Sequence, residues 1–114
     1  MILIVLIIMG KHANMNILLE KIRDFLDLIK GELDELQFFV VSKGLEENNF
    51  IELINQIKRM RNKIAHISSS VNELEREILY ASRPSDEIHV DLVAIRDVLI
   101  SIKSQINSFR KRIL

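Results

Sequence analysis

Eight apolar residues near the end of the chain alternate in steps of four and three: Ile88, Leu92, Ile95, Leu99, Ile102, Ile106, Phe109 and Ile113. A strand would need apolar residues at every second position, so this spacing fits only a helix with one continuous apolar seam. A seam of this grade packs against nearly antiparallel helical neighbours. It predicts a helix over about 85–112, set off by the break at Arg83-Pro84-Ser85.

The same reading extends toward the N-terminus. Met15, Leu18, Ile22, Phe25, Ile29, Leu33, Leu36 and Val40 form a stripe over about 14–43. Asn14 or Asn16 can cap its start, and Gly44 is a good stop. Gly31 falls inside this pattern, at a cost of about 1 kcal/mol relative to alanine. Glu46 to Asn49 reads as a polar connector, with Asn48 or Asn49 capping a second helix. The seam of that helix is Phe50, Leu53 or Ile54, Ile57, Met60, Ile64 and Ile67. Ser68-Ser69-Ser70 is expected to interrupt it, and Ser70 with Glu73 has capping-box spacing for a third, shorter helix to about Ser82. The alternative is one kinked helix. Four amphipathic helices with short connections predict an all-α, up-and-down four-helix bundle with a kinked or shortened third helix, forming one domain over 14–114. Low aromatic content, 5%, and a single Pro in 114 residues agree with long helices packed by Leu and Ile.

Residues 1–13 stand apart as an apolar N-terminal extension. Ile2 to Met9 is unbroken by any polar residue. It is too short to span a bilayer and lacks the basic start of a signal peptide, so no membrane partner is expected. A buried strand, an apolar extension of the first helix, and a true start at Met9 or Met15 all accommodate it. The absence of Cys excludes disulfides and thiolate chemistry and suits a cytoplasmic protein.

Net charge is zero, but it is unevenly spread. Residues 1–52 hold nine acids and five bases, whereas residues 53–72 hold no acid and four bases, Lys58, Arg59, Arg61 and Lys63. Beyond Asp97 there are only the bases Lys103, Arg110, Lys111 and Arg112. Such patches suit a short polyanion, and they equally suit a solvated helix face and a basic helix C-terminus.

Arg61-Asn62-Lys63-Ile64-Ala65-His66 lies in the first of these zones. A guanidinium can hold a phosphate, and an imidazole can move a proton near neutral pH. With the Ile57, Met60, Ile64 and Ile67 seam facing the core, Arg59, Asn62 and His66 share the outward face and Arg61 flanks the seam. Arg61 and His66 are roughly 140° apart around one helix. Their convergence on one atom needs a distorted turn or a second copy of the chain. Arg83 and His89 match the same loose spacing, but Pro84 stands between them. His12 and His89 show no ligand-like spacing, so no metal or cofactor is expected.

Arg61-Asn62-x-x-x-His66 on a short helical chain resembles the HEPN superfamily, from about residue 14 to the end. The resemblance implies a homodimeric, metal-independent endoribonuclease, acting as a toxin or in anti-phage defence. It implies His66 as general acid or base, Arg61 on the scissile phosphate, and Asn62 orienting His66 or that phosphate. Lys58, Arg59 and Lys63 would then attract the RNA backbone. RNA is the implied substrate, with a cognate antitoxin, such as a minimal nucleotidyltransferase, as partner. One branch of the family carries a tyrosine two positions after the histidine as the target of that antitoxin. Here Ser68 holds the position, which departs from that branch. The competing expectation is a non-catalytic helical bundle for oligomerisation, partner binding or RNA binding.

Overall fold

A computed structural model describes residues 2–43 and 50–113, with side chains from Asn14 onward. Three helices follow in order: α1 (Ile2–Lys43), α2 (Phe50–Tyr80) and α3 (Ser85–Ile113). They run up, down and up, and each packs against both others. The molecule measures 68 × 21 × 16 Å. Its long dimension follows α1, since 42 helical residues at 1.5 Å each reach about 63 Å.

The all-α class is as expected, but the four-helix bundle is not. Among the described residues there are three helices, because Ser68-Ser69-Ser70 lies inside α2 without a break. The seam explains the continuity. Ile57, Met60, Ile64, Val71 and Leu74 are all buried, and the step from Ile64 to Val71 is two helical turns with no change of phase. Each serine costs about 0.5 kcal/mol of helix propensity. Burying Val71 and Leu74 in phase returns roughly 2 kcal/mol apiece. The capping-box spacing at Ser70 therefore goes unused.

α1 begins at Ile2, so the backbone of the apolar run continues the first helix and is not a strand. What that run packs against lies outside the described side chains, and the connector at Glu46 to Asn49 and the stop at Gly44 lie outside the described residues. Further along α1, Leu19 and Leu26 are more deeply buried than the expected Leu18 and Phe25, which pack at the edge of the core. A helix in contact with two neighbours needs an apolar face wider than a single seam, and these pairs serve its two sides. Among the described residues no polar or charged residue is buried. None of the described helices is long and apolar enough to cross a membrane.

Polar links fix the register of the helices. Arg23 on α1 donates to Asn72 at 3.1 Å and is ion-paired with Glu75, both on α2. Glu32 on α1, with a side chain only 13% exposed, pairs with Lys103 on α3 and stands 3.9 Å from Arg110.

The α2–α3 corner closes α2 with paired backbone bonds. The Ser82 amide donates to the Glu77 carbonyl at 3.2 Å, and the Ala81 amide donates to the Ile78 carbonyl at 3.3 Å. Ala81 sits at φ 49°, where glycine is the usual residue. Replacing Ala81 with Gly should therefore raise stability by about 1 kcal/mol, read as a higher midpoint in urea at unchanged slope. A lower midpoint would contradict this assignment of the cap. Arg83 braces the same corner through Asp91 at 2.8 Å, Glu77 at 2.9 Å and Glu87 at 3.6 Å. Its hydrogen bonds to Asp91 and then Glu77 hold the guanidinium above its ordinary pKa. The Arg83/His89 pair is thus a structural corner beside an exposed histidine.

Candidate nucleic-acid interface

The stretch from Lys58 to His66 is helical throughout. Ile57, Met60 and Ile64 turn inward to the core, which sets the direction of every other side chain on these turns. Lys58, Arg59, Asn62, Lys63 and His66 are exposed. Arg61 is half-buried on the side of α2 that faces α1.

Arg61 is not free. Its Nη2 donates to Asp34 Oδ1 on α1, forming an ion pair whose side chains are 38% and 68% exposed. An ion pair this open to solvent is worth less than about 1 kcal/mol, so a competing phosphate can displace the carboxylate. The structure therefore separates Arg61 from His66 by the angle the sequence spacing requires, and α2 has no distorted turn that would bring them together. Asn62 and His66 do share one exposed face, one turn apart.

Arg59 and Lys63 point to the other flank of α2, toward α3. With Gln56, Ser108, Phe109 and Arg112 they line a hollow of about 390 Å³. Arg112 is held across it. The guanidinium lies 5.5 Å from the Phe109 ring centroid and donates to Gln56 Oε1 at 3.0 Å. Among the described residues, no ion pair engages Lys58, Arg59, Lys63 or Arg112. Cations without carboxylate partners around a shallow hollow form a surface that can take phosphates. The described residues hold no group of three or more His, Asp or Glu placed to bind a metal ion.

Helical phase puts Lys58, Arg59 and Lys63 outward on α2, whereas Ser108 and Arg112 come beside Arg59 and Lys63 only through the packing of α3. Arg112 meets Gln56 from 56 residues away in the chain, and no local pattern signals such a contact. No protein-family model, curated protein or solved structure matches this chain.

Proposed function

We propose that this chain binds single-stranded RNA on the outward side of α2. One observation carries the reading. Lys58, Arg59, Lys63 and Arg112 form an acid-free group with no ion pairs among the described residues, beside the exposed Asn62 and His66. Arg23 and Lys103, elsewhere in this molecule, are instead paired with Glu75 and Glu32. Single-stranded RNA suits the surface better than a duplex, because a flexible strand can follow a hollow of about 390 Å³ between two helices that a rigid duplex cannot enter. The test is the salt dependence of binding to a fluorescent oligouridylate in EDTA. Three to four phosphate contacts predict a slope of log affinity against log salt of roughly −2 to −3. A flat salt dependence would contradict an electrostatic grip.

Cleavage is the second reading, and the exposed Asn62 and His66 pair supports it. His66 would take the proton of a ribose 2′-hydroxyl. The 2′-oxygen would then attack phosphorus and the bond to the 5′-oxygen would break, that oxygen taking a proton from water, leaving 2′,3′-cyclic phosphate and 5′-hydroxyl ends. Arg61 serves that step at the same phosphate only when two copies meet, as in the HEPN-type toxin or defence nuclease that the motif resembles. Binding ranks ahead of cleavage for a physical reason. Among the described residues, the large apolar side chains left exposed stand on α1 (Ile17, Leu28, Phe38, Val41) and α3 (Val90, Val98, Ile100), and on α2 only toward its ends (Ile51, Leu79, Tyr80). Copies meeting through the apolar faces of α1 or α3 would hold their His66 side chains apart. Cleavage in EDTA by the parent protein, lost by roughly 10²-fold or more in His66→Ala, would establish the second reading. Equal cleavage by both proteins would assign the activity to something other than His66.

A further inference from the structure

α2 has a second hollow on its opposite flank, toward α1. It measures about 380 Å³ and is lined by Lys30, Leu33, Arg61, Ile64, Ala65 and Ser68. Two polar atoms there are shielded from solvent and lack any hydrogen-bond partner, Arg61 Nε and Ser68 Oγ. Both can donate, and so can the Lys30 ammonium. Asp34 occupies the Nη2 of Arg61 and leaves its Nε–H unused. A shielded donor without a partner is costly, so this flank favours an oxygen-rich anion that can accept from several donors at once.

The two hollows therefore share one chemistry on either side of one helix. Around α2, at 100° per residue, the side chains met in passing outward from one hollow to the other are Arg61, Ala65, Asn62, His66 and Lys63. The small side chain of Ala65 leaves the first part of this path low. Residues 53–72 contain no acid, so no carboxylate of α2 itself stands along it. An α-helix with its side chains is about 10–12 Å across, a width that a few nucleotides can span.

We propose that the RNA strand crosses α2 instead of running along it. One phosphate sits in the Arg59, Lys63 and Arg112 hollow and another in the Lys30, Arg61 and Ser68 hollow. The intervening nucleotide lies over Asn62 and His66. This rests on the RNA-binding reading above and adds what that reading lacks, namely a second anchoring site on α1 and a direction for the strand. It also gives Arg61 a phosphate of its own, distinct from the one nearest His66.

The experiment measures the affinity of oligouridylates from two to eight nucleotides long for the full chain and for Lys30→Gln, Ser68→Ala and Arg112→Gln. Lys30 and Arg112 are exposed, and an unchanged thermal midpoint in each variant shows that folding is intact. For the octamer, Lys30→Gln and Arg112→Gln should each weaken binding by roughly 3–10-fold, and each should lower the salt slope by about 0.7. Ser68→Ala should weaken octamer binding by about threefold without changing the slope. A dinucleotide reaches one hollow at a time, so either charge variant alone should cost it less than about twofold. Octamer binding that is unchanged in Lys30→Gln and Ser68→Ala but weakened in Arg112→Gln would overturn the crossing and confine the strand to the α2–α3 side. No binding of any length by the parent protein would instead remove the RNA reading itself.

Discussion

Removing three cations at once, Arg59→Gln, Lys63→Gln and Arg112→Gln, should weaken binding to single-stranded RNA by roughly 10²–10³-fold. The salt slope should fall by about 2, since each lost phosphate contact removes about 0.7. The fold should survive. Arg59, Lys63 and Arg112 are exposed, and none of them carries an ion pair among the described residues whose loss would strand a carboxylate. This separates the α2–α3 hollow from the basic end of α3. Lys111 remains in the triple variant, and Arg110, which faces Glu32, remains as well. Undiminished affinity would mean that RNA is held by the α3 terminus or not at these residues at all.

Ser69→Pro should destabilise the protein by about 3 kcal/mol or more. Ser69 is exposed and sits in the interior of an unbroken α2, so the proline would remove a helical hydrogen bond and clash with the preceding turn without disturbing the core directly. For a chain of 114 residues that loss would lower the thermal midpoint by more than about 10 °C. Ser69→Ala is the matched control and should be neutral or slightly stabilising, because alanine is the better helix former. If the serine triplet were instead a connection between two helices, proline would be tolerated there and the two variants would behave alike.

The α3 seam shows how much of this fold is legible from spacing alone. Ile88, Leu92, Leu99, Ile102, Ile106 and Phe109 are all buried as the four-three alternation requires, with Ile95 and Ile113 packed at the edge. Helical phase is a local property, so the outward placement of Arg59, Asn62 and His66 follows from the neighbouring apolar residues in the same way. The serine triplet misled because serine favours caps and turns when nothing else decides. Here Ile64 and Val71 keep the same phase on either side of it, and tertiary burial decides.

What spacing does not give is register between helices. The pairing of Arg61 with Asp34, the reach of Arg112 to Gln56, and the place of Lys30 beside Ser68 each join residues far apart in the chain. Those meetings depend on how far each helix slides along its neighbours, which no local pattern fixes. The consequence for function is direct. In one copy Arg61 faces α1 and diverges from His66 around the helix, as their five-residue spacing requires. Its carboxylate partner, Asp34, is a competitor for any phosphate that approaches.

The proposed seat of RNA on the outward side of α2 around His66 is tested most directly by amide NMR on the isotopically labelled full chain. Titration with an octauridylate should shift the signals of Lys58 to His66, together with Lys30 and Arg112, and leave the outward faces of α1 and α3 near Leu28 and Val90 unchanged. Shifts confined to Lys111 and its neighbours at the end of α3, or spread evenly over all three helices, would contradict it.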